Sequence, residues 1–310
     1  MSTINLYWPV YKNLEKELLK IANSIHLADD QVNVYSMHIA DLIVRCSIEI
    51  EAISKELYSY VGGNMSPIDV NGKMRDLYFD TDCLDLLEQK WALSKKQVIV
   101  SATNFYLSDK NNIVLTPLYK ANKRGSSGSK WKQVYQTLKH NRKNSLKEAQ
   151  VKYLLHSMGA LYILNIYYKD EVFDLKDDGN AINFPMGLGS EMFSVKIHKV
   201  GGYNIEGCHI KPDFDECIYL IKFTDEYFDK FKEGMKKLDQ NMNEAFIKHP
   251  KFLEYLQLNG TEALKNYQGN FFWNVLGEKE YVNVLKSTTK DTKFFDETKY
   301  EAIVNKGKIH

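Results

Sequence analysis

The chain has few cysteines, few prolines and no long apolar run, and these shortages exclude several classes of protein. Four cysteines at irregular positions among 310 residues do not form a disulfide framework. The most apolar stretch, residues 154–168, is too short and too interrupted by polar side chains to span a bilayer. The first residues lack the basic segment and apolar core of a signal peptide. We therefore expect a reduced, cytoplasmic protein without a membrane anchor.

Positive charge is concentrated in one segment, although the whole chain is nearly neutral. The formal net charge of +1 argues against a general polyanion binder but allows a local basic patch. Residues 120–147, called the basic segment below, contain no Asp or Glu. Its basic residues are Lys120, Lys123, Arg124, Lys130, Lys132, Lys139, His140, Arg142, Lys143 and Lys147.

Apolar residues recur at three- and four-residue spacing through most of the first half, which predicts a helical bundle. The predicted helices cover residues 3–28, 34–61, 80–93, 131–141 and 145–168. Ser145 and Glu148 form a candidate capping box for the last of them. Two stretches rich in Val, Ile, Phe and Thr, residues 97–106 and 113–118, predict a β-hairpin.

The second half has a mixed pattern. Residues 170–190 are typical of a connector, residues 192–200 and 216–223 of strands, and residues 225–247, 250–258 and 261–275 of helices. We therefore predict an α+β fold that is predominantly α. A helical domain at 1–170 carries the hairpin insertion at 97–118, and a smaller mixed α/β domain of unknown role covers 180–310.

Residues 135–142 are the part of the basic segment in which chemistry is possible. On a helix Tyr135, Lys139 and Arg142 share a face, and His140 lies one position away. Histidine exchanges a proton near neutral pH, and Lys and Arg neutralise charge on a phosphate in its transition state. Attack by a ribose 2′-hydroxyl requires neither a metal nor a protein nucleophile. The alternative is a solvated basic helix.

Other residues are candidates for supporting roles. Glu49 and Arg45, one turn apart on the predicted helix 34–61, either assist from that helix or form a salt bridge at its surface. Trp131 either stacks on a base or is buried, and we favour burial. The candidate RNA-binding residues are Lys123, Arg124, Lys130, Lys132 and Lys143.

The pattern Tyr135-x-x-Leu138-Lys139-His140-x-Arg142, together with residues 39–55, resembles the HEPN superfamily of small helical bundles. The resemblance covers about residues 1–168. HEPN domains are common in prokaryotic defence systems and toxin–antitoxin pairs, and many are metal-independent ribonucleases. Their motif is an Arg followed by a His after four to six residues, whereas Tyr135 precedes His140 here.

The resemblance implies an RNA-directed protein, without cofactor, that acts as a metal-independent ribonuclease. His140 would be the general acid/base, Lys139 and Arg142 would hold the phosphate, and Tyr135 would orient them. The family also implies a homodimer and an antitoxin or defence-system partner protein. In the alternative, the chain is a non-catalytic binding or assembly subunit, and these residues form a structural polar network with Glu49.

Four residues of the second half are zinc-ligand types and lie within 20 residues of one another. Their spacing matches no common zinc module, so no metal site is predicted. The four residues are His198, Cys208, His209 and Cys217.

Overall fold

The computed structural model describes residues 5–204, 207–265, 270–289, 297–307 and 309. Its α-helices are α1 (Tyr7–Ser24), α2 (Met37–Tyr60), α3 (Asp85–Trp91), α4 (Lys110–Ile113), α5 (Lys130–Ser145), α6 (Val151–Lys169), α7 (Asp225–Ile247), α8 (Pro250–Asn259), α9 (Glu262–Lys265), α10 (Phe271–Leu276) and α11 (Glu278–Thr288). Its strands are β1 (Leu27–Ala28), β2 (Val98–Val100), β3 (Phe105–Tyr106), β4 (Val114–Leu115), β5 (Phe173–Lys176), β6 (Phe193–Val195), β7 (Ile197–Lys199), β8 (Tyr203–Asn204), β9 (Gly207–Cys208), β10 (Tyr219–Phe223) and β11 (Tyr300–Val304). The predicted α+β class, predominantly α, is confirmed.

Helix α6 is the centre of the helical bundle. Its side chains are buried on almost every side between Val151 and Tyr167, as expected for a helix that is apolar all round. Helices α1, α2 and α5 pack against it. Helix α2 begins where Ser36 accepts a hydrogen bond from the Ile39 N–H. The bundle therefore holds α2 and α5 side by side around a shared core.

The predicted capping box of Ser145 and Glu148 is wrong. Ser145 is buried in the last turn of α5 and makes no capping hydrogen bond. Residues Leu146–Glu148 form a 3-10 turn, and α6 begins only at Val151 after an extended Gln150. The predicted helix at 80–93 is also divided, because a π-helical segment at Phe79–Leu84 precedes α3.

The predicted hairpin is confirmed only in its outer strands. Strands β2 and β4 pair antiparallel, with Val98 opposite Leu115. The connection between them contains β3, which pairs parallel with β1, and the short helix α4. Strand β6 pairs with the other edge of β2 and completes a three-stranded sheet. A second sheet has the strand order β5-β11-β10-β7.

One hydrophobic core includes residues of both predicted domains. It extends from Tyr11 in α1 to Val304 in β11. Smaller clusters form around Phe223–Phe231 and around Phe246, Phe252 and Leu276. The expected boundary near residues 170–180 therefore does not coincide with a division of the main core. Within the described ranges, no helix combines the length and apolarity needed to cross a membrane.

The predicted helix at 261–275 lies partly outside the described residues. Its described parts are α9 and α10, with residues 266–269 between them not described. The predicted helices at 225–247 and 250–258 correspond closely to α7 and α8.

Candidate nucleic-acid interface

The fold pairs two predicted RNA-binding cations with one buried carboxylate, Lys132 from a buried position and Arg124 from a half-exposed one. Lys132 is 4 % exposed, and its ammonium donates to Asp80 Oδ2 at 3.1 Å and to the Ala121 carbonyl at 2.8 Å. Arg124 Nε donates to Asp80 Oδ1 at 2.9 Å, and its guanidinium lies over the Tyr78 ring at 3.7 Å. Burial favours the neutral acid of Asp80, but the charges of Lys132 and Arg124 outweigh it and lower its pKa. Lys132 therefore serves mainly to hold the loop before α5.

Trp131 is a buried anchor, as favoured from the sequence. Its ring is 1 % exposed, and Nε1 donates to the Pro117 carbonyl at 2.8 Å. A buried indole with a satisfied N–H is positioned by the fold and cannot lie flat on an RNA base.

The candidate catalytic residues do not form one cluster. Tyr135 is buried, and burial together with the Glu51 carboxylate raises its pKa to about 12. Arg142 pairs with Asp41 at 2.9 Å. Between them, Asn141 leaves helical geometry, with φ −149° and ψ 60°. The helical phase that would align Tyr135, Lys139 and Arg142 is therefore interrupted before Arg142.

His140 and Lys139 remain exposed on the second half of α5. The Lys139 ammonium lies 5.8 Å from the centre of the Tyr135 ring. Lys130 and Lys143 are also exposed, and neither forms an ion pair with any residue that the structure describes. Lys123 is exposed and lies 3.8 Å from Asp85.

Glu49 and Arg45 face α1 and not α5. Arg45 interacts with Glu17, and Glu49 interacts with Tyr7 and Arg45. Burial raises the pKa of Glu49 despite the nearby Arg45. Asp41 and Glu51 are the α2 residues that reach α5. Glu49 and Glu51 face different neighbours because they are separated by about 200° around the helix axis.

A cleft of about 720 Å³ separates α2 from the first turns of α5. Its walls combine Lys55, Arg124 and Lys132 with the carboxylates of Glu51 and Asp80. Gln133, Gln136 and Thr137 of α5 complete one side. Because both signs of charge line this cleft, it favours no strongly charged ligand.

A second pocket, of about 270 Å³, lies at the start of α5 and has no acidic residue in its wall. We call it the α5 pocket. It is lined by Thr116, Pro117, Tyr119, Lys120, Gly128, Ser129, Lys130, Trp131, Tyr153 and His156. The basic segment supplies two exposed lysines to the pocket, Lys120 and Lys130.

Ser129 gives the α5 pocket a polar group without a partner. It is the N-cap residue of α5, but its side chain makes no capping hydrogen bond. Its Oγ atom is buried and has no hydrogen-bond partner among the described residues. An N-cap serine ordinarily accepts a hydrogen bond from the first helical turn. Here the buried hydroxyl stays without a partner, and the first-turn N–H groups have no intrahelical acceptor, as at helix ends that bind anions.

The loop before α5 brings Lys120 to this helix end. Lys120 has a left-handed backbone, φ 56°, and its carbonyl accepts hydrogen bonds from the Lys123 and Ser129 N–H groups. A Cβ atom at Gly128 would lie 2.6 Å from the Lys123 carbonyl oxygen. Only glycine therefore permits this close return of the chain.

His156 of α6 is a site residue that the sequence did not identify. It interrupts a helix read as core, which was the only available signal. It faces the α5 pocket, and burial lowers its pKa to about 4. The imidazole is therefore neutral at pH 7 and adds a hydrogen-bonding group without charge.

This burial predicts acid sensitivity. The unfolded chain binds a proton on His156 below about pH 6.5, whereas the folded chain does so only near pH 4. Stability should therefore decrease as the pH falls from about 6.5 to about 4, by at most about 3 kcal/mol. Urea unfolding across this range should show a smaller decrease for His156→Gln. His140→Gln, at an exposed position of α5, is the control, and an equal slope in His156→Gln and wild type would contradict the prediction.

No protein-family model, no curated protein and no solved structure matches this chain. The resemblance of residues 1–168 to HEPN proteins stays a prediction.

Proposed function

We propose that the chain binds RNA, with one phosphate at the α5 pocket and the adjoining backbone passing around α5 towards Lys139. The observation that carries this proposal is the acid-free pocket itself. It combines a helix N-terminus, the unpartnered Ser129 hydroxyl, and the cations Lys120 and Lys130. Helix N-termini and lysines are both recurrent phosphate-binding groups.

The distribution of the other cations favours a polymer over a free phosphate compound. Lys139 and Lys143 are exposed further along the same helix. At 1.5 Å and 100° per residue, Lys139 is about 15 Å along α5 from the pocket and about 180° around the helix axis from Lys130. A single phosphate cannot contact both ends, whereas an extended RNA strand can. The phosphate contacts make this binding dependent on salt.

The ion pairs of α5 support binding without cleavage. Arg142 is engaged by Asp41, and Tyr135 lies buried against Glu51. Both residues then stabilise the contact between α2 and α5. We therefore favour the alternative of a non-catalytic, HEPN-like binding subunit in which part of the motif is a structural polar network. Dimerisation and an antitoxin or defence-system partner stay predictions.

Substitution of the pocket lysines tests RNA binding. Lys120→Ala/Lys130→Ala should weaken binding of a labelled single-stranded RNA about tenfold or more at low salt. Because the pocket holds one phosphate, the slope of log affinity against log salt should decrease by about 0.7. The control Lys279→Ala/Lys286→Ala removes the same charge from exposed positions of α11. Fluorescence anisotropy at several salt concentrations measures both quantities.

The pocket double variant and the α11 control should then differ in RNA affinity and in the salt dependence of that affinity. Equal affinity and equal slope in both double variants would contradict the pocket as an RNA site. Competition by inorganic phosphate at concentrations far below those expected from ionic strength alone would instead indicate a small-anion site.

Cleavage is a second candidate, supported by the exposure of His140 beside Lys139. Total RNA incubated with the protein in chelator, beside His140→Ala, tests it directly. Loss of wild-type cleavage in His140→Ala would favour ribonuclease activity. Equal cleavage by both proteins, or none by either, would exclude His140 as a catalytic residue.

A further inference from the structure

We propose that His198, Asp213 and Cys217 bind a zinc ion. His198 belongs to β7, and the other two residues flank the 3-10 turn Phe214–Glu216 that leads into β10. One ligand atom from each of the three residues lies within 4.8 Å of the other two. Nitrogen, oxygen and sulfur donors in one cluster form a ligand set typical of zinc.

The sequence did not predict this cluster, because it placed His198 on the polar face of one long strand. The strand is interrupted at Lys196, between β6 and β7. This break shifts the alternation, and both Val195 and His198 are fully buried. Of the other ligand types considered from the sequence, His209 is exposed, and the side chain of Cys208 lies outside the described residues.

One of the two ring nitrogens of His198 has no hydrogen-bond partner among the described residues. Nδ1 lies 2.9 Å from Asp213 Oδ1, whereas the buried Nε2 has no partner among the described residues. The Phe214 ring stands edge-on to the imidazole at 5.3 Å and offers no hydrogen bond. A buried imidazole with an unsatisfied nitrogen is costly unless another group binds it.

The Cys217 thiol lies near the buried side chain of Lys96. Cys217 is fully buried, Lys96 is 1 % exposed, and the charge of Lys96 acts on the Cys217 sulfur. Zinc deprotonates a thiol that it binds. The resulting thiolate would give the buried Lys96 ammonium a counter-charge.

Hydrogen bonds to its backbone carbonyls hold the ligand-bearing turn in place. Asn305 is buried, and its amide donates to the Phe214 carbonyl at 2.6 Å and to the Cys217 carbonyl at 3.0 Å. The Gln97 N–H donates to the Glu216 carbonyl at 2.9 Å. Three ligands on a fixed scaffold favour metal binding, because little ordering is required. The Asp213 side chain is 39 % exposed, so water can reach a fourth coordination position.

Metal analysis of the purified chain tests the site without reference to any activity. After removal of metal with a chelator and return of zinc, elemental analysis should find about one zinc ion per chain. Cobalt should give the intense near-ultraviolet band of a cobalt–thiolate bond. Cys217→Ser should lose both signals. Cys83→Ser, which changes another fully buried thiol, should retain them.

A second measurement needs no variant and covers the case in which Cys217→Ser does not fold. Alkylation of wild-type protein in a urea concentration that opens the buried sites transiently, followed by mass spectrometry of its peptides, should show Cys217 protected by zinc, with Cys83 as the internal reference. Absence of stoichiometric zinc and of the thiolate band in the wild type would overturn the proposal. So would zinc binding that leaves the alkylation rate of Cys217 unchanged.

Discussion

Replacement of Lys132 by methionine should lower the free energy of unfolding by about 3 kcal/mol or more. Lys132 is buried and donates to the Asp80 carboxylate and to the Ala121 carbonyl. Methionine keeps most of the side-chain volume but removes the charge. Asp80, whose side chain is only 9 % exposed, then retains Arg124 as its remaining ion-pair partner. Urea unfolding at pH 7 measures the loss.

The matched control is Lys130→Ala, two positions earlier in the same helix. Lys130 is exposed, so its removal should change stability by no more than about 0.5 kcal/mol. The two substitutions should therefore separate two functions within the basic segment. Lys132→Met should unfold easily, whereas Lys130→Ala should stay stable and bind RNA more weakly. Equal stability in Lys132→Met and wild type would show that the pair with Asp80 contributes little and that Lys132 is available to a ligand.

Replacement of Trp131 by alanine should cost about 3–5 kcal/mol of stability. The indole is almost fully buried, and its N–H is bonded to the Pro117 carbonyl. Alanine would leave a cavity in the core and an unsatisfied carbonyl beneath the α5 pocket. Trp131→Phe should cost less, because it fills part of the cavity and loses only the hydrogen bond and the larger ring. Thermal and urea unfolding of both variants measure these differences.

The RNA affinity of Trp131→Ala distinguishes an anchor from a base-stacking residue. At a temperature where the variant is folded, its RNA affinity should fall only as far as the α5 pocket is distorted. The slope of log affinity against log salt should stay the same as in the wild type. Trp273→Ala is the control, since Trp273 is 38 % exposed in α10. A fully stable Trp131→Ala protein with much weaker RNA binding would show that the ring contacts RNA directly.

Most helices of the first half follow from local periodicity. The apolar stripe of residues 34–61 predicted α2 within three residues at its start and one at its end, because a stripe at helical spacing can be read without knowing its partner. Element ends were less predictable. Helix α6 begins after Gln150, which forms an antiparallel β-bridge with Tyr35. The residues around Ser145 do not reveal this contact, because its partner is more than 100 positions away in the chain. The pairing of β6 with β2 joins residues about 95 positions apart for the same reason.

The candidate site was predictable as a segment but not as a surface. Local composition identified residues 120–147 as acid-free and basic. It did not distinguish Lys132, which binds a carboxylate 52 positions away, from Lys120 and Lys130, which line the α5 pocket. Nor did it identify His156, because a histidine within an apolar helix has the same sequence signature whether it is buried or faces a pocket.

Local patterns of charge and apolar spacing therefore determine the helical class, the basic segment and the order of the main elements. The availability of each cation depends on long-range contacts. Lys132 and Arg124 form ion pairs with Asp80, and Arg142 forms one with Asp41. A turn at Lys120 brings Lys120 and Lys130 to the start of α5. The burial of His198 beside Cys217 likewise required a strand break and the packing of a distant turn. Charge and spacing act between neighbours in the chain, whereas burial and ion pairing arise between segments that meet only when the chain has folded.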